Sequence, residues 1–164
     1  MTALRVSAPD PAAFRTVLGH YATGVAIITA VDGGEPVGMA CNSFTSVSLE
    51  PPLVLFCAAK TSTTWPRIRR AGSWCANILG EADEELCRLF AQKGADRFAQ
   101  AAYRPGASGA PVLDRALAFV DCRTEAEYDA GDHVVVVGRV LELGHQTEGK
   151  PLIFYRGGYG RFEV

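Results

Sequence analysis

Two clusters of hydroxyl and amide side chains stand out in a chain otherwise poor in catalytic groups. Asn42-Ser43-Phe44-Thr45-Ser46-Val47-Ser48 places five hydrogen-bonding side chains in seven residues between two apolar runs. Thr61-Ser62-Thr63-Thr64 adds four hydroxyls just before Trp65-Pro66, a pattern that marks a helix entry. Free N–H groups and the dipole at a helix start favour an anion such as a phosphate. Each cluster alone reads more readily as local chemistry, with Asx and ST turns in the first and a plain N-cap in the second. Because both flank the single apolar run Leu53 to Ala58, together they fit a flat polar ligand with a phosphate tail.

Other chemistries lack their residues. There is no phosphate-binding P-loop, no GxGxxG after a strand, no HExxH and no GxSxG elbow. His20, His133 and His145 are scattered, so no metal is expected. The five cysteines, Cys41, Cys57, Cys75, Cys87 and Cys122, form no CxxC pair and lie among apolar residues, where a free thiol packs as a small hydrophobe. Sixteen Lys+Arg against 18 Asp+Glu leave a net charge of −2 with no basic segment, which argues against nucleic acid. The longest apolar run, Leu53 to Ala59, falls far short of the ~20 residues that cross a bilayer. The stretch Met1 to Ser7 has no apolar signal core, so a cytoplasmic protein is expected.

The elements that would position these clusters are mostly strands. Asp10-Pro11 opens a first helix with Phe14, Val17, Leu18 and Tyr21 on one face. Val25 to Val31 reads as a buried strand, Asp32-Gly33-Gly34 as a turn, and Val37 to Cys41 as its hairpin partner. Phe44 to Leu49 is extended, Leu53 to Ala58 is a fully apolar strand, and Trp74 to Leu79 is another. Ala82 to Gln92 is an amphipathic helix, with Asp83-Glu84-Glu85 in its first turn and Lys93 beyond its end. The arginines at 67, 69 and 70 read as the solvated end of the helix that starts near Trp65. Tyr103 to Pro111 is a Gly/Pro/Ser loop. Val120 to Tyr128 alternates strictly, with Asp121, Arg123, Glu125 and Glu127 toward solvent. Val134 to Leu143 and Leu152 to Tyr155 complete about seven strands. With 164 residues, the expectation is one domain over residues 1–164. Its class is mainly β with α decoration: an antiparallel, Greek-key-like barrel, closed or nearly closed.

The stretch Pro36 to Trp65, PVGMACNSFTSVSLEPPLVLFCAAKTSTTW, closely resembles the short-chain flavin reductase family, the NAD(P)H:flavin oxidoreductases of two-component monooxygenases. Three further blocks match in order: Thr23 to Thr29, Gly131-Asp132-His133-Val134 through Gly138, and Pro151 to Tyr159. The resemblance implies a split β-barrel that binds flavin, FMN or FAD, as a homodimer with the flavin near the subunit interface. It puts Pro36, Val37, Gly38, Met39, Ala40, Asn42 and Ser43 beside the isoalloxazine. It puts Cys57, Ala58 and Ala59 under the ribityl chain and Ser62, Thr63 and Thr64 at the phosphate. Lys93, Asp96, Arg97 and Phe98 resemble a second flavin-contacting region. His133, Tyr155, Gly157 and Tyr159 would line the nicotinamide side.

The implied activity is hydride transfer from NADH to FAD or FMN, followed by release of reduced flavin to a separate monooxygenase. Such a transfer needs two rings stacked and close rather than a general base, which suits a chain with no catalytic dyad. His133 is the one candidate for a polar, catalytic role there. A non-catalytic flavin- or haem-binding split-barrel carrier or sensor is the alternative, since fold does not fix function.

Overall fold

The structure, a computed structural model, describes residues 3–94 and 96–163. Met1 and Thr2, the start of the stretch read for a signal core, lie outside the described residues. The first helix, α1 (Pro11–Leu18), is capped by Asp10, whose carboxylate accepts from the N–H groups of Ala12 and Ala13. Strands β1 (Ala26–Asp32) and β2 (Glu35–Cys41) form a hairpin in full register around Gly33-Gly34. Strands β3 (Thr45–Leu49) and β4 (Pro52–Ala59) form a second hairpin. Then come α2 (Trp65–Ala71), β5 (Ser73–Ile78) and, after one 3-10 turn, α3 (Glu84–Ala91). A short hairpin, β6 (Tyr103–Pro105) with β7 (Pro111–Leu113), interrupts what reads in sequence as a loop. The long pair β8 (Ala118–Ala130) and β9 (His133–His145) follows, and the hairpin β10 (Leu152–Tyr155) and β11 (Gly158–Arg161) closes the order.

Seven of these strands make one wholly antiparallel sheet in the order β2-β1-β5-β8-β9-β4-β3. The hairpins interleave because β5 inserts between β1 and β8 while β4 pairs with β9. Among the described residues no ladder joins β2 to β3, so the barrel is split, not closed. Past Leu55 the chain of β4 also runs beyond its β3 partner, leaving one edge of Phe56 to Ala59 without a strand. The split therefore lies between the outer edge of β2 and the end of β4.

Two apolar clusters hold this frame. One fills the barrel with Ile28, Phe56, Trp65, Ile68, Trp74 and Val136; Phe56 meets Trp74 edge-on at 4.7 Å. The other packs α3, through Leu86, Cys87 and Phe90, under Ile27, Leu79 and Leu152. Burying side chains of this size contributes about 1.5–3 kcal/mol each. Gly38 belongs to this packing: a Cβ there would stand 2.8 Å from the ring of Phe90. All five cysteines are free thiols, four of them buried, as their apolar neighbours imply. No helix of the described residues is long and apolar enough to cross a membrane.

One expectation is corrected and two are extended. Asp121 does not face water: the segment between β6 and β7 lies over its face of the sheet and buries it. The carboxylate then accepts from the Ser108 N–H at 2.7 Å and its hydroxyl at 2.6 Å. The arginines of α2 lie at the solvated end of the helix as expected, with Arg69 and Arg70 exposed, and are ion-paired as well: Arg67 and Arg70 with Asp32, Arg69 with Glu127. Finally, the apolar face of α1 is not buried within the chain, since Phe14, Val17, Leu18 and Tyr21 all remain exposed.

Candidate functional site

Residues that the sequence scatters over 120 positions meet along the split. Ser43 spans it. Its hydroxyl accepts from the Cys57 N–H at 2.9 Å, donates to the Cys57 carbonyl at 3.3 Å and lies 3.0 Å from Cys41 Sγ. At the far end of β4 the chain turns through Ser62, whose N–H donates to the Ala59 carbonyl. Ser62 Oγ accepts from the N–H groups of Thr64 and Trp65 at 3.2 and 3.1 Å, and touches Met39 Sδ at 3.8 Å. That bond occupies the N–H groups expected to receive an anion, and α2 is only seven residues long. A helix terminus is therefore not the source of positive charge here.

Arg97 brings a positive charge to this place. One guanidinium nitrogen donates to the Gly38 carbonyl and, at 3.2 Å, to Thr64 Oγ1; the other donates to the Gln92 carbonyl. The side chain thus ties β2, the turn before α2 and the end of α3 to one point. Burial alone lowers the Arg97 pKa, with no carboxylate acting on it. Among the described residues it forms no salt bridge, unlike Arg67, Arg69, Arg70, Arg88, Arg115 and Arg139. A half-buried cation beside hydroxyls and lacking a counter-charge is suited to an anion's oxygens.

His133 starts β9 directly opposite Ala59, and the Lys60 N–H donates to the Asp132 carbonyl beside it. Its Nδ1 is bound to Asp132 Oδ1 at 2.7 Å, which leaves Nε2 without a hydrogen-bond partner among the described residues. The histidine in turn holds the exposed Asp132 carboxyl below its ordinary range.

The other end of β2 opens into a cleft of about 160 Å³. Ala40, Asn42 and Tyr159 line it as expected; Val25, Cys41, Cys87 and Phe154 line it too. Tyr159 is fixed from three sides, by Cys87 Sγ at 3.2 Å, the Arg88 guanidinium 4.8 Å over its ring and Phe154 edge-on at 5.5 Å. Burial, then the bond to Cys87, pushes its hydroxyl up to about 12. Cys87 was readable only as one more apolar position on α3, three residues before Phe90.

Not every expected residue joins the split. Lys93 is exposed. Asp96 caps the 3-10 turn after it, accepting from the Ala99 N–H. Phe98 packs edge-on between Phe90 and Tyr103. Tyr155 meets His20 at 6.3 Å, and Gly157 makes the turn of the last hairpin at φ +79. Val37 and Ala58 point into the core, Pro36 and Thr63 stay near the surface. A larger cleft of about 300 Å³, beside Arg104, Phe119 and His145, lies at the opposite end of the β8–β9 pair and contains none of them.

The comparisons with known proteins bear on this arrangement. The flavin reductase like domain matches residues 18–163. The chain belongs to that family. It is 48% identical over 98% of its length to the reductase subunit HsaB of a flavin-dependent monooxygenase from Rhodococcus jostii, covering 83% of that protein. It is 48% identical to a flavin reductase of Pseudomonas putida, over 95% of this chain and 92% of that one. The NADH:FAD oxidoreductase SgcE6 of Streptomyces globisporus, solved in complex with NAD and FAD fragments, superposes with a TM-score of 0.91 at 35% identity over 98% of both chains. The family's flavin fits the residues present here. Open strand edges offer backbone groups to a flat polar ring, and Ser62, Thr64 and Arg97 offer donors to a phosphate.

Proposed function

We propose that this protein reduces free FAD or FMN with NADH and passes the reduced flavin to a separate monooxygenase. It acts over residues 1–164 as one flavin reductase-like unit, as a homodimer, in the cytoplasm. Arg97 carries the reading. A cation without a carboxylate partner, set between Gly38 of β2 and the Thr64 hydroxyl, is explained by a ligand phosphate. Bound flavin supplies the hydride acceptor and NADH the donor; the protein's part is to hold two planar groups in contact.

In this reading the outer edge of β2, with Pro36, Val37, Gly38, Met39 and Ala40, faces the flavin ring together with Asn42 and Ser43. Cys57, Ala58 and Ala59 run beneath the sugar-alcohol chain. Ser62, Thr63, Thr64 and Arg97 take the phosphate. Lys93, Asp96 and Phe98 border that region, with Phe98 supporting it from the core. His133, Tyr155, Gly157 and Tyr159 form the nicotinamide side, and His133, oriented by Asp132, presents Nε2 there. Support for a homodimer comes from the exposed apolar face of α1, which continues into Tyr155, since monomers rarely leave such faces uncovered. Five free thiols suit a reducing compartment, and NADH is an intracellular reductant.

The test is the fall of absorbance at 340 nm with purified protein, NADH and added FAD or FMN under air. Rapid oxidation that depends on added flavin is the expected result. Flavin that stays bound through purification, with no turnover of NADH, would overturn the reductase in favour of a carrier or sensor.

A further inference from the structure

Two carboxylates and two arginines form a clamp outside the split. Asp32, the last residue of β1, accepts from Arg67 Nε at 2.9 Å and from Arg70 Nη2 and Nε at 2.7 and 3.3 Å. Glu35, the first residue of β2, accepts from Arg67 Nη2 at 2.9 Å. These acids flank the two-residue turn of the β1–β2 hairpin, and the arginines stand three positions apart on one face of α2. Asp32 is no ordinary surface acid: its side chain keeps only 16% of its exposure and receives three donors. It also has no role in the barrel core.

The position of the clamp gives it a consequence for the split. Beyond the apolar packing of Val37 with Trp65 and Ile68, strand β2 meets the α2 segment in two polar contacts. At Glu35 the contact is the clamp; at Gly38 and Met39 it is Arg97 with Thr64, and Ser62. Thr64 is the residue that begins α2, and its side chain gives the helix no cap of its own. The orientation of the helix therefore sets where the Thr64 and Ser62 hydroxyls stand relative to Arg97.

We infer that the Asp32–Arg67–Arg70 clamp is a positioning device for the flavin phosphate, holding the Ser62 and Thr64 hydroxyls at a fixed spacing from Arg97. The inference rests on the phosphate seat proposed above. The physical reason is preorganisation: several donors bind one phosphate well only if all point at it before it arrives. A clamp that served stability alone would weaken every flavin equally, and exposed ion pairs contribute little even to that.

The experiment uses quenching of flavin fluorescence to obtain dissociation constants for FMN and for riboflavin, which shares the ring and sugar-alcohol chain but has no phosphate. Asp32→Asn should weaken FMN by roughly five- to tenfold, the loss of about one charge-assisted contact, and leave riboflavin within about twofold. Asp32→Glu, which keeps the charge, should recover most of the FMN affinity. Arg69→Gln, on the side of α2 that pairs with Glu127, should leave both flavins as in the wild type. Should Asp32→Asn fail to fold, Arg67→Gln carries the same expectation. Equal weakening of FMN and riboflavin, or no change in either, overturns the positioning role. Arg97→Gln separates the two layers of argument. If it erases the preference for FMN while Asp32→Asn does not, only the clamp is wrong; if neither affects it, the phosphate seat falls as well.

Discussion

Two buried or half-buried polar networks pass through the same sheet, and they are built differently. On the closed side, Asn77 and Thr29 are both fully buried. Asn77 Oδ1 accepts from the Leu113 N–H at 2.8 Å, and its amide donates to Thr29 Oγ1 at 3.0 Å and to the Ile27 and Pro111 carbonyls at 3.2 and 3.3 Å. Thr29 Oγ1 donates to the Pro111 carbonyl at 2.5 Å. Every group there is neutral and satisfied, and the result is that β7 is bolted to β1 and β5. On the open side, Arg97 reaches Gly38, Thr64 and Gln92 but meets no negative charge. A satisfied network serves the fold. One with surplus charge at an open strand edge is fitted for something that comes and goes.

That contrast can be broken by exchanging the expected effects of mutations. The largest should come from Asn77→Leu, which strands the Leu113 N–H in the core. Chemical unfolding should register a loss of about 3 kcal/mol, while activity per folded molecule stays close to wild type. Gly38→Ala should follow, because its Cβ meets Phe90 at 2.8 Å. Overpacking of about 1–3 kcal/mol is expected in the same assay. Arg97→Gln should reverse the pattern: about tenfold poorer FMN affinity, worth about 1.4 kcal/mol, with little change in melting temperature. A large loss of stability in Arg97→Gln would erase the distinction between the two networks.

The smallest effect concerns pH. Arg70 and Arg67 hold the Asp32 carboxyl below its ordinary 3.8. A depressed acid stabilises the fold above its unfolded pKa, and that contribution is lost as pH falls through the lowered folded value. The melting-temperature gap between wild type and Asp32→Asn should therefore be constant from about pH 5 upward and close below about pH 4. A gap that persists in acid would mean the clamp does not act through charge.

Much of the frame was legible from residue order. The β1–β2 hairpin, the apolar strand β4, the capped start at Asp10 and the amphipathic α3 all follow from local patterns, and each lies within a few residues of its expected place. β8 departs from that reading at Asp121 because a distant segment covers part of its outer face, which alternation along one strand does not encode. Asp121 looks like a solvent residue in any alternating strand, and only the loop carrying Ser108 makes it an interior one. The arginines of α2 do lie at a solvated helix end, but the partners of Arg67, Asp32 and Glu35, are more than thirty positions away and leave no local signal.

The site shows the same division. The hydroxyl clusters around Asn42 and Thr61 stand out in sequence because so many polar side chains flank one apolar strand, and the structure brings Ser43, Ser62 and Thr64 to the split. Local pattern alone points to a helix terminus for a phosphate and the resemblance adds Arg97; in the structure Ser62 takes those N–H groups for itself and Arg97 stands beside Thr64. Cys87, behind Tyr159, carried no polar signal at all.

The residues by themselves determined the strand-rich class, the hairpins, the hydroxyl-rich strand ends and the absence of any motif for covalent or metal chemistry. These depend on local period and turn preference, which act between near neighbours. The tertiary structure decided that the barrel stays split, that Ser43 crosses the gap, that Arg97 stands there without a counter-charge and that α2 is clamped by the β1–β2 turn. Each of those joins groups far apart in the chain, and contacts of that range are set by how whole elements pack rather than by the order of residues within any one of them.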